Sequence, residues 1–470
     1  MKKTKIIATI SDRMCDVPLL ARMHQAGMDA VRLNTAHQGT EGAQLVIDSI
    51  RKVSDRIAII VDTKGPEIRT TAAGGEIPVK AGEMVCVMGD SKGVCLPDCI
   101  CVTYDHLADD LSVGDKILID DGELELEVKE KASRRLLCEV KNDGSIKGKK
   151  SINLPSVRIR NLPSLSEKDK KFIEFAADQD VDFIAHSFVR GKQDVLAVQE
   201  ILDAKQSQIK IIAKIENQEG VDNIDEILDH AYGVMVARGD LAIEIPSQKV
   251  PIIQKKLVKK CIERRKPVII ATQMLQSMIT SPRPTRAEVS DVANACLDHT
   301  DAIMLSGETA YGKYPLESVQ MMTKIAEEVE SSLSTFTDSP YETTKNVTGY
   351  LAKAAVKASL RLKTKALIAD TISGTTIRSL VAYRGENLIF AQCYSKRVMR
   401  ELALSFGVHA SFMQRDLSSH EFLRTALSRL LEQKLLAEES LITILAGNFG
   451  SAFGASYVEI STVSNLMKRK

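Results

Sequence analysis

The sequence contains IKIIAKIEN at residues 209–217 and GVMVARGD at residues 233–240, and these two stretches indicate the fold most clearly. Each stretch is a continuous apolar run that ends in charged residues. Such runs are too continuous for strands with one face in water, and they are typical of strands buried on both faces of a parallel sheet. Similar runs recur at Lys5–Ile10, Ala30–Leu33, Ile57–Val61, Phe183–Phe188, Ile209–Ile215, Gly233–Ala237, Pro267–Ala271 and Ala302–Leu305.

Amphipathic stretches with helical spacing separate these runs, at Val17–Ala26, Glu167–Ala177, Asp194–Ala204 and Pro251–Arg264. Ser166, three residues before Asp169, predicts the N-cap of the second of them. Eight strands that alternate with helices predict an α/β fold, a (β/α)₈ TIM barrel.

More than a hundred residues separate the third strand from the fourth. Within this interval, apolar and polar residues alternate between turns of Gly, Asp and Asn, which is typical of half-buried strands. We therefore expect a small β-barrel domain inserted after strand 3. Its predicted strands are Gly74–Val79, Met84–Met88, Lys116–Ile119, Leu124–Lys129 and Leu136–Lys141.

A second α/β pattern follows the polar segment after Glu330. It predicts an open parallel sheet with one reversed edge strand. The expected domains are a barrel formed by residues 1–70 and 155–335, the inserted β domain (71–154) and a C-terminal α/β domain (340–470). The strands expected in the last are Lys365–Ala369, Leu388–Tyr394, His409–Phe412, Leu441–Ala446 and Tyr457–Val463.

The composition narrows the class of protein. The chain has 470 residues, a formal net charge of +1, no Trp and 4% aromatic residues, which argues against a nucleic-acid partner held by bulk charge or by stacking. No apolar run approaches the roughly 18 residues of a membrane span, and the N-terminus lacks a signal-peptide cleavage pattern. The nine Cys are scattered, so we expect reduced, partly buried thiols and a cytoplasmic location.

Polar residues follow six of the eight predicted strands, at the end where TIM barrels carry their chemistry. Glu216 and Asp240 are oxygen ligands suited to Mg²⁺. Arg32 and Lys214 are donors suited to a phosphate or a carboxylate. Side chains two apart on a strand share a face, so Lys214 should project with Glu216, and Arg238 with Asp240. This set fits phosphoryl transfer, and it equally fits a lyase that stabilises an enolate with Mg²⁺.

The strand ends resemble the pyruvate kinase family, in the family's order along the barrel. The C-terminal third is similar only in pattern, through SGTT (373–376) and LAGNFGSAFG (445–454). The matching strings in the barrel are RLN (32–34), DTKGPEIRT (62–70), SEKD (166–169), KIEN (214–217), VARGDLAIEIP (236–246), ATQML (271–275), PRPTRAEVSDVANA (282–295) and MLSGETAYGKYP (304–315).

The resemblance implies transfer of the phosphoryl group of phosphoenolpyruvate to ADP, which gives pyruvate and ATP. It implies that Lys214 neutralises the phosphoryl group in flight and that Arg32 grips the substrate phosphate. Glu216 and Asp240 would hold Mg²⁺ or Mn²⁺. Thr272 would meet the substrate carboxylate beside Gly239 and help to protonate the enolate, and the residues that support this proton route would be Ser306 and Glu308.

Further roles come from the same resemblance. Asn34, Asp62 and Thr63 would line a K⁺ site, while His37 and Arg69 would lie beside the nucleotide phosphates. The inserted domain would close as a lid that excludes water. The family is usually tetrameric, so a homotetramer is expected.

The loop after the first C-terminal strand offers hydroxyls and backbone N–H groups at a helix start, which suits an anion. The family binds an activating sugar phosphate there, and an ordinary capped turn is the alternative. The residues of this expected effector loop are Thr371, Ser373, Gly374, Thr375 and Thr376.

The chain departs from the family at several peripheral positions. The serine two residues after Asn34 is replaced by Ala36, which removes one hydroxyl ligand for K⁺, and water would take its place. A basic residue that contacts the nucleotide is replaced by Gly191. The alternatives to a pyruvate kinase are a Mg²⁺-dependent TIM-barrel lyase or aldolase that acts on pyruvate or phosphoenolpyruvate, and a non-catalytic effector-binding paralogue.

Overall fold

The computed structural model describes residues 1–71, 75–91, 96, 98–155, 157–332, 346–414, 419–447, 449 and 454–468. Eight parallel strands form a closed barrel in the order β1-β17-β16-β15-β14-β13-β3-β2. The barrel confirms the predicted fold class, and its strands agree with the apolar runs to within one or two residues. Their bounds are β1 Lys5–Thr9, β2 Ala30–Asn34, β3 Ala58–Asp62, β13 Phe183–His186, β14 Lys210–Ile215, β15 Gly233–Ala237, β16 Val268–Ala271 and β17 Ala302–Leu305.

Helices surround the barrel. Ser166 caps α4 as predicted, because its side chain accepts from the backbone N–H of Asp169 while the Asp169 carboxylate accepts from that of Ser166. The helices are α1 Val17–Gln25, α2 Thr40–Val53, α4 Glu167–Ala177, α5 Lys192–Ala204, α6 Gln218–Asp222, α7 Ile224–His230, α8 Arg238–Glu244, α9 Val250–Glu263, α10 Arg286–Leu297, α11 Gly307–Ala310 and α12 Pro315–Ser332, with 3₁₀ turns at Ser247–Lys249 and Gln276–Ile279.

Apolar side chains from the strands fill the inside of the barrel, including Ile7, Ile60, Phe183 and Met235, all fully buried. A second, larger apolar cluster packs the outer faces of the strands against the helices. Because the interior is filled, polar chemistry is confined to the two ends of the barrel.

A β domain lies between β3 and β13 in the chain. Seven of its strands form a sheet in the order β4-β12-β8-β9-β10-β6-β7. A bridge between Thr70, just after β4, and Val102 in β7 joins the two edges, so the sheet closes on itself. The elements are β4 Ile68–Arg69, β5 Ile77–Val79, β6 Met84–Gly89, β7 Cys99–Val102, α3 Leu107–Asp110, β8 Lys116–Ile119, β9 Leu124–Lys131, β10 Arg135–Val140, β11 Gly144–Ile146 and β12 Ser151–Asn153.

Four of these strands, β4, β7, β11 and β12, are absent from the prediction. Gly74, where the first lid strand was predicted to begin, lies outside the described residues. The expectation that the thiols are reduced is wrong in the β domain: Cys86 in β6 and Cys99 in β7 are register partners and form a disulfide, and Cys101 is also disulfide-bonded. Sequence spacing did not reveal the pair, because β7 was not predicted. Cys15, Cys138, Cys261, Cys296 and Cys393 are free and buried.

The C-terminal sheet has the order β20-β19-β18-β21-β22. Strand β22 runs antiparallel to β21, which confirms the reversed edge strand. The residues that the structure describes include no helix long and apolar enough to cross a membrane. The elements are α13 Val347–Arg361, β18 Ala366–Thr371, α14 Thr375–Val381, β19 Ile389–Cys393, α15 Lys396–Glu401, a 3₁₀ turn at Leu402–Leu404, β20 Val408–Phe412, α16 Ser419–Glu432, β21 Leu441–Ala446, β22 Tyr457–Thr462 and α17 Val463–Met467.

Candidate active site

The ammonium of Lys214 lies at the centre of the charges at the carboxyl end of the barrel. Its Nζ is 3.1 Å from Asp62 Oδ1, 3.1 Å from Glu216 Oε1 and 2.7 Å from Ser187 Oγ. The residue is only 8% exposed. Burial by itself lowers the pKa of Lys214, but Asp62 and Glu216 outweigh it and raise the pKa above its ordinary value. Lys214 is therefore a fixed positive charge at neutral pH.

Arg32 supplies a second cation from β2. Its Nε donates to Asp62 Oδ2 at 2.5 Å, and its Nη1 donates to Thr9 Oγ1 at 3.2 Å. Burial pushes the pKa of Asp62 upward, but Arg32 and Lys214 outweigh it and hold the pKa below its ordinary value. The Asp62 carboxylate thus joins the two cations that the sequence predicted would meet.

Glu216 carries a charge that the protein compensates only in part. Burial and the nearby charge of Asp240 outweigh the effect of Lys214 and raise the pKa of Glu216 to about 7. Its Oε2 accepts from the backbone N–H of Phe188 at 2.6 Å. A buried carboxylate whose pKa is raised by a second carboxylate nearby is suited to share a cation with it.

The prediction that the side chains of Arg238 and Asp240 project together from one strand face is wrong. Strand β15 ends at Ala237, and both residues lie in the first turn of α8, so the two-residue spacing of a strand does not apply. Arg238 instead donates to both carboxylate oxygens of Asp291, at 2.7 Å each. Asp240 alone faces the candidate site, and it lines the cavity between the barrel and the β domain.

The ends of β16 and β17 carry the predicted hydroxyls. Thr272 has a φ of +68°, a left-handed backbone that is uncommon for a β-branched residue. Its Oγ1 accepts from the backbone N–H of Gly239 at 2.8 Å. Glu308 is 2% exposed and accepts from the backbone N–H groups of Ser306 and Leu275 at 2.7 and 3.0 Å. Among the described residues, the buried Ser306 hydroxyl has no hydrogen-bond partner.

The oxygens expected around K⁺ lie together at the ends of β2 and β3. Asn34 and Asp62 are register partners, and Thr63 follows directly. Asn34 Oδ1 already accepts from the backbone N–H of Ala36 at 3.1 Å. Thr63 Oγ1 lies 3.2 Å from Nδ1 of His186, whose pKa burial lowers to about 4, so the imidazole is neutral.

Of the two residues expected beside the nucleotide, Arg69 lines a cavity of about 390 Å³ between the barrel and the β domain. Its Nε donates to Glu67 Oε2 and its Nη1 to the carbonyl of Lys149, both at 2.6 Å. His37 is exposed on the loop after β2 and does not line this cavity. Gly191 precedes α5, and Arg190 is the basic residue that reaches the cavity from this loop.

The effector loop joins β18 to α14. Gly374 has a φ of +81°, and its N–H donates to Thr371 Oγ1 at 2.8 Å. Ser373 Oγ and Thr375 Oγ1 lie 3.0 Å apart and are exposed, while Thr376 follows in the first turn of α14. The loop is thus a tight turn that also presents hydroxyls. Much of the NFGSAFG stretch lies outside the described residues.

Sequence reasoning missed the end of β13. Ser187 contacts Lys214, and Phe188 contacts Glu216, so both touch the centre of the site. The apolar run was read through to Phe188 as a continuous strand, which hid the hydroxyl inside it. It also missed that Asp169 Oδ1 accepts from the backbone N–H of Lys64 at 2.8 Å and so fixes the loop that leads into the β domain.

The fit to a divalent ion rests on Glu216 and Asp240. Within the described ranges, no group of three or more His, Cys, Asp or Glu side chains is arranged to hold a metal. Two carboxylates are nevertheless the set that Mg²⁺ commonly takes when substrate oxygens and waters complete its shell. The raised pKa of Glu216 marks the uncompensated charge that such an ion would neutralise.

A (β/α)₈ barrel that gathers two cations, buried carboxylates and a strained threonine at its carboxyl end, beside a β domain, defines an enzyme that acts on a small anion. Comparison with known proteins gives the family. Residues 1–319 match the model described as pyruvate kinase, barrel domain, and residues 350–460 match pyruvate kinase, alpha/beta domain. The chain belongs to the pyruvate kinase family, as the strand-end strings predicted.

Several relatives cover the whole chain. It is 48% identical to a pyruvate kinase of Borreliella burgdorferi, over 99% of this chain and 98% of that protein. It is 44% identical to a pyruvate kinase of Bacillus licheniformis, over 100% of this chain and 82% of that protein. The crystal structure of a pyruvate kinase from Cryptosporidium parvum superposes with a TM-score of 0.92 at 34% identity, over 98% of this chain and 96% of that one.

Proposed function

We propose that this protein transfers the phosphoryl group of phosphoenolpyruvate to ADP and releases pyruvate and ATP. The observation that carries the proposal is the fixed ammonium of Lys214 beside the Arg32–Asp62 pair. Phosphoryl transfer requires little covalent help from the protein, and its catalysis comes mainly from positioning and from neutralising charge. A buried lysine with a raised pKa meets that requirement.

The substrate is held by its two anionic groups. Arg32 binds the phosphate, and Lys214 follows the phosphoryl group during transfer. The carboxylate lies at the start of α8, against Gly239, Asp240 and Thr272, where the strained Thr272 backbone aims its hydroxyl at Gly239. Strain of this kind is found where a side chain must be held for function.

The enolate left by transfer must gain a proton on carbon. Thr272 stands at the reacting carbon, and Ser306 with Glu308 supports the proton route. The unpartnered hydroxyl of Ser306, within the part of the chain that is described, leaves a donor and acceptor free for that route. Glu308 is held in place by two backbone N–H groups, so it orients the loop that carries Ser306.

Glu216 and Asp240 hold Mg²⁺ or Mn²⁺. Such an ion polarises the substrate oxygens and neutralises charge that develops on them. Asn34, Asp62 and Thr63 hold K⁺ through oxygen atoms, with water in place of the hydroxyl that Ala36 lacks. Oxygen-only ligands suit such a hard cation.

The nucleotide occupies the cavity between the barrel and the β domain. Arg69 contacts its phosphates from the cavity wall, whereas contact with His37, which does not line the cavity, requires the loop after β2 to move toward the nucleotide. The β domain closes over the site as a lid and excludes water, because hydrolysis of phosphoenolpyruvate competes with transfer. The hinge is the segment that follows Lys64. The backbone N–H of Lys64 donates to Asp169, which fixes the barrel end of this hinge.

The C-terminal domain is regulatory in this proposal. The effector loop from Thr371 to Thr376 binds an activating sugar phosphate through its exposed hydroxyls. The protein works in the cytoplasm as a homotetramer, with no nucleic-acid or membrane partner. Titration of fructose 1,6-bisphosphate and of a sugar monophosphate against phosphoenolpyruvate saturation tests the loop, and no shift with either compound supports the capped turn.

One assay tests the reaction and separates the alternatives. Purified protein is mixed with phosphoenolpyruvate and Mg²⁺, with and without ADP, and pyruvate is measured. A pyruvate kinase forms pyruvate only with ADP. A lyase or aldolase shows no dependence on ADP, and a non-catalytic paralogue forms no pyruvate in either mixture.

A further inference from the structure

Strand β13 ends at His186, and Ser187 and Phe188 follow it directly without a proposed role toward substrate or metal. Ser187 is 2% exposed, and its Oγ lies 2.7 Å from Lys214 Nζ. The same hydroxyl donates to the backbone carbonyl of Thr63 at 2.6 Å. It therefore links the end of β3 to the side chain that projects from β14.

The ammonium of Lys214 has three N–H donors and finds three acceptors. Two of them, Asp62 and Glu216, are carboxylates, whose attraction depends mainly on distance. The third, the Ser187 hydroxyl, is neutral, and its contribution depends on direction. Because this hydroxyl donates its hydrogen bond to the carbonyl of Thr63, its lone pairs point toward Lys214. Ser187 is thus the acceptor that sets where the ammonium points.

The backbone around Ser187 is held from both sides. Its N–H donates to Thr63 Oγ1 at 3.1 Å on the β3 side. On the β14 side, Phe188 has a φ of +55°, and its N–H donates to Glu216 Oε2 at 2.6 Å. A left-handed backbone at a bulky residue is unfavourable and persists only where the surroundings impose it.

The loop after β3 closes over the same segment. A Cβ on Gly65 would stand 2.7 Å from the Ser187 Cβ, which no side chain allows, and Gly65 has a φ of +76°. The glycine lets the two strand ends approach closely enough for the Ser187 hydroxyl to reach Thr63. The segment therefore holds the hydroxyl at one position.

We propose that Ser187 is a positioning residue for phosphoryl transfer, which acts by orienting the Lys214 ammonium toward the phosphoryl group. This inference rests on the proposed function. Without the hydroxyl, the Lys214 ammonium moves toward the carboxylates of Asp62 and Glu216. Its positive charge is then no longer directed at the phosphoryl group. A misplacement on the order of 1 Å at a reacting group can cost about 10²-fold in rate.

The test compares Ser187→Ala with Ser318→Ala in the full-length protein. Ser318 is fully buried in α12 and donates to the carbonyl of Tyr314, so its variant loses a matched hydroxyl far from the site. We expect Ser187→Ala to lower kcat about 10- to 100-fold with little change in KM for phosphoenolpyruvate or ADP. Ser318→Ala should keep the kcat of the wild type, and both variants should melt at similar temperatures.

A double variant separates positioning from structural support. If Ser187 acts through Lys214, then Ser187→Ala combined with Lys214→Met is no slower than Lys214→Met alone, because the hydroxyl has nothing left to orient. Ser187→Thr, which keeps the hydroxyl, should recover most of kcat. A wild-type kcat in Ser187→Ala, or fully additive losses in the double variant, overturns the positioning role. Inactive wild-type protein would instead refute the proposed function itself.

Discussion

The two ends of the barrel both bury charges, but they compensate them differently. At the amino end, Asp29, Asp182 and Asp301 each stand one residue before a strand. Each carboxylate accepts a backbone N–H from the adjoining strand. The donors are Ile6 for Asp29, Ile59 for Asp182 and Val268 for Asp301, at 2.9, 2.9 and 3.1 Å.

Each of these aspartates also has a basic partner. Lys2 donates to Asp29, Arg400 to Asp182 at 2.7 Å, and Arg384 to Asp301 at 2.7 Å. The two arginines come from the C-terminal domain, so these pairs attach that domain to the barrel. Each of these three aspartates faces a basic partner, which is the pattern of a structural role. Burial nevertheless raises the pKa of Asp182, because it outweighs the nearby charges of Arg400 and Arg51.

The carboxyl end leaves charges and hydroxyls incompletely matched. Burial raises the pKa of Glu216 to about 7, Thr272 holds a left-handed backbone, and Ser306 has no partner among the described residues. Buried charge alone does not mark a site, and neither does a raised carboxylate pKa, which Asp182 shows at the amino end. Incomplete compensation together with backbone strain marks it, because both are kept only where a ligand completes them.

The largest expected effect comes from a comparison of two variants, in each of which a buried lysine at one end of the barrel is replaced by methionine. Lys214→Met should lower turnover by about 10³-fold or more, because it removes the fixed positive charge that neutralises the transferred phosphoryl group. Lys5 is also buried, at the amino end, and its Nζ donates to the carbonyl of Val408 at 2.6 Å. Lys5→Met should keep the kcat of the wild type per folded molecule. Similar kcat losses in both variants would remove the distinction between the two ends.

The next effect concerns stability at the amino end. Asp301→Asn leaves the buried Arg384 without its counter-charge, and it should lower the free energy of unfolding by about 3–5 kcal/mol. Urea unfolding measures this change, and kcat per folded molecule should not change. A large loss of kcat at unchanged stability would show that this pair belongs to the catalytic machinery.

The K⁺ site gives a smaller effect. Turnover should be faster with K⁺ than with Na⁺ or with no monovalent ion, and equal rates in all three would refute the site. Ala36→Ser restores a hydroxyl beside Asn34, so it should lower the K⁺ concentration for half-maximal activation by about 2- to 10-fold. Ala352→Ser, in the C-terminal domain, is a control for a serine introduced elsewhere, and it should leave that concentration unchanged.

The smallest expected effect is on the pH dependence of the free energy of unfolding, through His409 at the amino end of the barrel. Burial and the neighbouring charges of Arg56 and Lys5, opposed by Asp29, lower the pKa of His409 to about 3. Between about pH 6.5 and 3 the unfolded chain binds a proton that the folded one does not, so stability falls as pH falls. His409→Gln should make this decline shallower in urea unfolding at several pH values. An unchanged slope would mean that other groups control it.

Sequence predicted the barrel well because each strand is a continuous apolar run, a signal that depends only on local residues. It also predicted that Lys214, Glu216 and Arg32 lie at one site, since the carboxyl ends of parallel strands share one edge. It did not predict that Asp62, expected from the family resemblance as a K⁺ ligand, joins Arg32 to Lys214. These predictions needed only the period of the strands and the topology of the barrel.

The rest depended on contacts that local sequence does not encode. Strands β4, β11 and β12 have two or three residues each, too few for a period to be read. Helix α8 begins directly after β15, so Arg238 does not share a strand face with Asp240. The guanidinium of Arg238 pairs with Asp291 instead. The pairs of Asp182 and Asp301 with arginines of the C-terminal domain join residues far apart in the chain, and no pattern in either segment indicates them.

The most direct test follows the phosphorus atom. Phosphoenolpyruvate labelled with ³²P is mixed with ADP, Mg²⁺, K⁺ and purified protein, and the labelled products are separated. We predict that the label appears in ATP, in a one-to-one ratio with pyruvate, and that Lys214→Met nearly abolishes both products. Label released as inorganic phosphate, or pyruvate formed without labelled ATP, would contradict phosphoryl transfer to ADP at the carboxyl end of this barrel.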